Sequence, residues 1–381
     1  MPRVGFSEWF ALTKVVARGQ LLRYRGGEQG YTTQFEQNLE KQMGVKHALT
    51  VNSGTSALIS ALAAAGIGPG DEVLVPAYTW VATAIAPLMV GAIPIVVDVN
   101  ESLTIDPEDI KRKITPYTKA IMPVHMLNLV CDMDAIVSIA REHRLKIIED
   151  ACQAVGLMYK GRRVGTIGDA GAYSFNQFKN LNSGEGGAVL TNDDRLFTRA
   201  RMFHDAGSYT REYSYESNEA PFIGMNFKVS ELTGAVLHAQ LPKLDPLISR
   251  LRSRYPIMVK HLSQTDKLKI SPHNDPDNAA GLTVILNTAE DAKRFAKNRG
   301  VDRLIDTGRH VYTNWRPIMT QRTFDDRMNP WKWAKRDIRY SEDMCSRTLD
   351  ILSRTCRVSL GPQYPIPFME LRGRSLLKAA S

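Results

Sequence analysis

From residue 47 to residue 149 the chain alternates short apolar runs, often β-branched, with longer stretches of helical spacing. This alternation constrains the fold more than any other feature, because strands separated by crossover helices build a mainly parallel sheet covered on both faces. Such sheets bind ligands beyond the carboxyl ends of their strands, so we expect a site at that edge. The predicted strands are 47–51, 72–75, 94–99, 120–124 and 146–149. The predicted helices are 55–65, 80–89, 107–114 and 133–143.

The length of the chain, 381 residues, favours one large domain and one smaller domain. The N-terminal part has helical spacing, and a second helical stretch, at 241–262, is interrupted by prolines. We interpret this second stretch as the junction, and predict a large domain over 1–245 and a small α/β domain over 246–381. The elements predicted in the small domain are strands at 267–270 and 281–286, helices at 290–297 and 342–354, and a loop at 312–339.

Composition argues against several classes of protein. Hydrophobic residues make up 43% of the chain and charged residues 23%, as in ordinary globular proteins. No apolar run approaches the ~20 residues of a membrane span, and no signal-peptide core opens the chain, so we expect a cytoplasmic protein without a membrane partner. The 4 cysteines lack the spacing of metal ligands, which predicts reduced thiols and no metal site. The net charge of +9 is spread along the chain without a nucleic-acid-binding motif, so no nucleic-acid partner is expected.

Three short stretches carry polar residues at places where strands are predicted to end. In the first, Gly54, Thr55 and Ser56 lie between a strand and a helix, whose N-terminal amides form a ready site for phosphate. The alternative is a simple helix cap, since Ser and Thr satisfy the same amides. The three stretches read NSGTSA at 52–57, EDACQA at 149–154 and SFNQFKN at 174–180.

In this order the three stretches resemble the fold type I enzymes that use pyridoxal 5'-phosphate (PLP). More narrowly, they resemble the DegT/DnrJ/EryC1/StrS family of sugar aminotransferases. The most specific run is SFNQFKNLNSGEGGAVL at 174–190, and the resemblance extends from about residue 23 to about residue 245. It implies an α/β fold with a mainly parallel seven-stranded sheet in the large domain. It also implies PLP as the cofactor, with pyridoxamine 5'-phosphate as its intermediate form.

The resemblance assigns catalytic roles to Lys179 and Asp150. Lys179 would hold the cofactor as a Schiff base and carry the proton between Cα and C4′. Asp150 would pair with the pyridine nitrogen and keep it protonated, so that the ring acts as an electron sink. From the residues alone, a surface lysine and an aspartate that caps a helix remain the alternatives.

The resemblance also assigns cofactor contacts. Trp80 would stack on the pyridine ring, although a core tryptophan is the alternative. Gln153 would lie near the phenolic oxygen, and Ser174 would join Gly54, Thr55 and Ser56 in binding the phosphate. Asn226 would reach across a dimer interface to the partner's phosphate, which implies a homodimer with two composite sites.

The predicted reaction is a transamination with two small-molecule substrates. Glutamate or glutamine would be the amino donor, and the carbonyl acceptor would be a sugar, nucleotide-linked sugar, cyclitol or sugar acid. His125 is a candidate for the substrate pocket or a structural histidine, and Arg316 or Arg309 is a candidate carboxylate clamp. The alternatives are other chemistry at Cα, namely decarboxylation, elimination or carbon–carbon bond formation, or a catalytically silent regulatory relative. Family members that eliminate carry His in place of the lysine, and Lys179 argues against that branch.

Overall fold

The computed structural model describes residues 4–25, 27–208 and 219–380. The α-helices are α1 (Phe6–Arg18), α2 (Tyr31–Met43), α3 (Gly54–Ala64), α4 (Ala82–Met89), α5 (Pro107–Lys113), α6 (Met133–His143), α7 (Asp194–His204), α8 (Glu231–Gln240), α9 (Leu244–Leu262), α10 (Ala289–Phe295), α11 (Arg316–Met319), α12 (Ser346–Arg354) and α13 (Ile366–Ala380). The strands are β1 (His47–Val51), β2 (Glu72–Pro76), β3 (Ile93–Val97), β4 (Thr118–Ile121), β5 (Lys146–Asp150), β6 (Met158–Tyr159), β7 (Arg162–Arg163), β8 (Ala170–Ser174), β9 (Gly187–Thr191), β10 (Leu268–Ile270), β11 (Thr283–Leu286), β12 (Val301–Arg303) and β13 (Thr355–Val358).

The central sheet has seven strands in the order β1-β9-β8-β5-β4-β2-β3. Its pairs are parallel except at β9, which runs antiparallel to both β1 and β8. Strands β2, β3, β8 and β9 are buried along their whole length, as expected for a sheet covered on both faces. The predicted α/β fold with a mainly parallel seven-stranded sheet is confirmed.

Polar side chains fix where several helices around this sheet begin. The side chains of four residues accept a hydrogen bond from an amide in the first turn of the helix that follows, which satisfies a donor without an intrahelical partner. These capping residues are Ser53 for α3, Asp106 for α5, Asp132 for α6 and Asp193 for α7. Because α3 follows β1 directly, its N-terminus lies at the edge where β5 and β8 also end.

A second, antiparallel sheet of four strands has the order β10-β11-β13-β12. Two predicted strands and one predicted helix of this region are present as β10, β11 and α10. The predicted helix 342–354 begins later, at Ser346, and the sequence analysis missed β12, β13 and α13. Helix α13 packs against α9. The predicted loop 312–339 contains short 3₁₀ turns and α11. The prolines do not break α9, which runs on through Pro256.

The C-terminal part of the chain also binds to the central sheet. The Tyr312 amide donates to the Ala77 carbonyl at 3.1 Å, and the Tyr340 hydroxyl donates to the Pro94 carbonyl at 2.7 Å. The division into two domains near residue 245 stays a prediction, because residues of the predicted small domain also contact the sheet of the predicted large domain. In the part of the chain that the structure describes, no helix has both the length and the apolar character to cross a membrane.

Candidate active site

The turn between β1 and α3 is held by its own side chains. The Ser53 hydroxyl accepts a hydrogen bond from the Ser56 amide at 3.0 Å, and the Ser56 hydroxyl donates to Asn52 Oδ1 at 2.6 Å. Ser56 is buried. Of the three residues predicted to bind phosphate here, Ser56 thus has its hydroxyl engaged inside the turn, while Gly54 and Thr55 supply first-turn amides without an intrahelical acceptor.

Gly54 allows the first turn of α3 to approach the end of β8. A Cβ at Gly54 would lie 2.8 Å from Cys152 Sγ and 2.8 Å from Ser174 Cβ, closer than packed atoms allow. The Ser174 hydroxyl is therefore next to the amides of Gly54 and Thr55, at a helix terminus that carries partial positive charge. These groups form a cradle that fits a phosphate.

Asp150 is the last residue of β5 and is buried. Its Oδ2 accepts a hydrogen bond from the Thr83 hydroxyl at 2.7 Å, and its Oδ1 accepts one from the Cys152 amide at 3.1 Å. The Thr83 hydroxyl also lies 2.7 Å from the Thr79 hydroxyl. A hydroxyl has one proton to donate, so the consistent arrangement is that Thr79 donates to Thr83 and Thr83 donates to Asp150.

Lys179 lies in a closed loop between β8 and β9. The Phe175 amide donates to the Gly186 carbonyl at 2.8 Å, the Gln177 amide donates to the Gly184 carbonyl at 3.0 Å, and Lys179 itself is half-buried. Burial raises the pKa of the Cys152 thiol, a rise that the negative charge of Asp150 increases and the positive charge of Lys179 opposes. The charge of Lys179 therefore acts on the segment that follows Asp150.

Trp80 is not a core residue, because 37% of its surface is exposed. The Arg309 guanidinium lies over its ring at 4.5 Å from the centroid, and the His310 ring centroid is 5.1 Å away. The Thr79 amide donates to the His310 carbonyl at 2.9 Å, and this backbone hydrogen bond holds His310 beside Trp80. An exposed indole at the sheet edge suits the predicted stacking on a cofactor ring.

Gln153 and Asn226 lie near the same edge. Gln153 is half-buried in the turn after β5, and its carbonyl accepts a hydrogen bond from the Asn128 amide at 3.2 Å. Asn226 is exposed, and the neighbouring Phe227 carbonyl accepts a hydrogen bond from the Asn52 amide at 2.8 Å. The segment around Asn226 thus adjoins the turn that forms the phosphate cradle, and the Asn226 side chain is exposed.

His125, a candidate for the substrate pocket, lies in the interior of the protein. It is fully buried, its Nδ1 accepts a hydrogen bond from the Cys131 amide at 3.1 Å, and its Nε2 lies 3.0 Å from Glu149 Oε2. Since Nδ1 accepts, Nε2 carries the proton and donates it to Glu149. Both ring nitrogens are engaged, so the structure corrects the substrate-pocket hypothesis for His125 and favours the structural alternative.

Sequence analysis gave no role to Glu149 or Thr83. The buried Glu149 carboxylate also accepts hydrogen bonds from the amides of Gly165 and Gly168, at 2.8 and 2.7 Å, and so holds the loop before β8. A pair of acids at the end of a buried strand was the available signal for Glu149. For Thr83 there was none. Arg316 lies exposed at the start of α11, where the structure gives its side chain no hydrogen bond or ion pair within the described residues.

Together these residues form the set that PLP needs. The cradle at Gly54 and Ser174 fits its phosphate, Asp150 fits the pyridine nitrogen, Trp80 offers an aromatic face, and Lys179 offers an amine. In the described residues, no group of His, Cys, Asp and Glu is arranged to hold a metal ion.

A model of the DegT/DnrJ/EryC1/StrS aminotransferase family matches residues 9–355. The chain belongs to this family. It is 36% identical to the GDP-perosamine synthase of Escherichia coli O157:H7 over 85% of both chains. It is 42% identical to the GDP-perosamine synthase of Caulobacter vibrioides over 56% of this chain, an alignment that spans only 57% of the Caulobacter enzyme. Among solved structures, the Bacillus subtilis protein NtdA with bound cofactor PMP superposes with a TM-score of 0.75 at 26% identity, covering 98% of this chain and 81% of NtdA.

These findings confirm the predicted family, the fold type I architecture and the class, a PLP-dependent aminotransferase. The roles of the individual site residues stay predictions. The structure brings the three separate stretches together, because Gly54 of the first packs against Cys152 of the second and Ser174 of the third.

Proposed function

We propose that this aminotransferase moves an amino group from glutamate or glutamine to the carbonyl of a sugar-like acceptor. The acceptor classes are a sugar, a nucleotide-linked sugar, a cyclitol or a sugar acid, in a pathway for a polysaccharide or a secondary metabolite. The relatives named for GDP-perosamine, an amino sugar joined to a nucleotide, support the nucleotide-linked class. A cytoplasmic location stays a prediction.

The observation that carries this proposal is the buried carboxylate of Asp150 beside a phosphate cradle and a lysine. When bound, PLP supplies an electron sink for charge that develops at the donor's Cα. Asp150 would hold a proton on the pyridine nitrogen, and the donors from Thr83 and Cys152 fix its orientation. Lys179 would take the proton from Cα and return it at C4′, the transfer that distinguishes transamination from loss of carbon dioxide.

We further propose a homodimer in which Asn226 completes the partner's phosphate cradle. Asn226 is exposed beside the first cradle residues of its own chain, where a second copy can approach it. Helix α1 exposes Phe6, Trp9 and Phe10, with 76%, 58% and 48% of their surfaces accessible. Exposed apolar residues in such a group are typical of protein interfaces.

The test compares Lys179→Ala with Lys111→Ala, a lysine on α5 whose side chain is 51% exposed. Lys179→Ala is expected to lose the visible absorbance of the attached cofactor and all turnover, whereas Lys111→Ala keeps both. The wild-type protein should lose that absorbance on addition of glutamate or glutamine without releasing carbon dioxide. A yellow, fully active Lys179→Ala protein would refute the assignment, and release of carbon dioxide would favour decarboxylation.

The same variant tests the composite site. When Lys179→Ala and Asn226→Ala proteins are mixed and exchange subunits, the mixture should regain activity that neither variant has alone. One site of the mixed dimer then combines native Lys179 from one chain with native Asn226 from the other. Mixtures that stay inactive although subunits exchange would show that Asn226 does not act across the interface.

A further inference from the structure

Arg357 is an arginine without an acidic partner next to the candidate active site. It lies on the inner strand β13, where it is exposed although its neighbours Cys356 and Val358 are buried. Within the described residues its side chain has no hydrogen bond and no ion pair. Asp302, directly opposite on β12, forms no ion pair with it within 4.0 Å. An unpaired guanidinium is therefore available for another anion.

Two clefts meet at this arginine. The first, with a volume of about 420 Å³, is lined by Lys179, Asn128 and Arg357. The second, of about 370 Å³, is lined by Tyr78, His310 and again Arg357. Leu127 also lines both clefts. Arg357 thus lines both the cleft that contains Lys179 and the cleft that contains His310, the histidine that adjoins Trp80.

The charges around this junction are mainly positive. Burial lowers the pKa of the His310 imidazole, and the positive charges of Lys179, Arg309 and Arg357 lower it further. Two acids line the second cleft. Asp306 is already held by Arg303 through two hydrogen bonds of 2.7 and 2.8 Å, and Asp302 is the residue opposite Arg357 on β12 that forms no ion pair with it. Three cations that act on one neutral histidine create a positive potential that favours an anion.

We propose that Arg357 binds an anionic group of the substrate that reacts at Lys179. A guanidinium presents paired N–H donors that match the two oxygens of a carboxylate or a phosphate. Either source has the same chemistry, since the donor carries an α-carboxylate and a nucleotide-linked acceptor carries phosphates. The identity of the reacting substrate rests on the proposed function, but the existence of the anion site does not.

The test is a calorimetric titration of the cofactor-loaded protein with 2-oxoglutarate and, separately, with inorganic phosphate. The variants are Arg357→Gln, which removes the charge, and Arg357→Lys, which keeps the charge but lacks the paired N–H donors of the guanidinium. The control is Arg339→Gln, whose side chain is 87% exposed and binds only Asp337. Retained absorbance and an unchanged urea midpoint show that each variant is folded.

Arg357→Gln is expected to weaken binding about 10- to 100-fold, with Arg357→Lys between it and the wild type. A loss confined to 2-oxoglutarate assigns the anion to the donor carboxylate, and a loss confined to phosphate assigns it to the acceptor. Binding of both probes within threefold of the wild type overturns the proposal. If Arg357 changes anion binding but no amino acid bleaches the wild-type protein, the proposed function fails and the anion site stands.

Discussion

Thr83 offers a direct test of how the protein holds Asp150. Replacing Thr83 with Val keeps a branched side chain of similar shape and removes the hydroxyl that donates to Asp150 Oδ2 at 2.7 Å. The carboxylate is buried, so no water replaces this donor. A hydrogen bond to a charged group contributes about 1.5–3 kcal/mol, which corresponds to about 10- to 100-fold in an equilibrium or rate constant.

We therefore expect Thr83→Val to raise the dissociation constant of PLP and to lower kcat, each by about 10- to 100-fold. Thr83→Ser retains the hydroxyl and should stay close to the wild type. Absorbance titration of the cofactor-free protein measures the first quantity, and steady-state kinetics with a donor that bleaches the wild type measures the second. If Thr83→Val matches Thr83→Ser in both, the hydrogen bond does not position Asp150 for catalysis, and our interpretation of this contact is wrong.

Two further predictions concern the cradle and the pH dependence of stability. Gly54→Ala puts a Cβ 2.8 Å from Cys152 Sγ and Ser174 Cβ, so the free energy of unfolding should fall by about 1–3 kcal/mol and PLP should bind more weakly. The control is Gly68→Ala, where the nearest atom to the new Cβ is 3.9 Å away. Urea unfolding and absorbance titration measure the two quantities, and equal losses in the two variants would contradict the prediction. Burial lowers the pKa of His204 to about 3, so the unfolded state binds more protons as the pH falls from about 6.5 towards 3, and stability is lost in that window. Between pH 6.5 and pH 5 the wild-type protein should lose about 2 kcal/mol of unfolding free energy through His204, and His204→Gln should not show this loss. If the unfolding free energy of the variant depends on pH as in the wild type, His204 is not responsible.

Five strands of the central sheet, β1 to β5, could be predicted from the sequence because buried strands such as β2 and β3 form continuous apolar runs. Strands β8 and β9 contain small and polar residues, and the apolar pattern gave them no bounds. The predicted and observed boundaries of β1 are the same, and most boundaries predicted for the other strands differ from the observed ones by one to three residues. The second sheet was predicted less well. Strand β13 is short and contains Arg357, which hid it from a pattern based on apolar residues.

The candidate site shows the same limit. Roles for Lys179 and Asp150 could be proposed because each lies in a motif whose neighbours are close in sequence, and these roles stay predictions. Thr83 could not, because its partner Asp150 is 67 residues away and only the folded sheet brings them together. His125 was ambiguous for a related reason, since its environment is decided by Glu149 and the Cys131 amide rather than by adjacent residues.

The backbone pairing beside Trp80 has a consequence for exchanging parts between relatives. The Thr79 amide donates to the His310 carbonyl at 2.9 Å, and the Tyr312 amide donates to the Ala77 carbonyl at 3.1 Å. A chimaera that joins the N-terminal part of this chain to the C-terminal part of a relative would therefore also import the relative's counterparts of Arg309 and His310. The surroundings of the Trp80 ring would therefore change together with the C-terminal part.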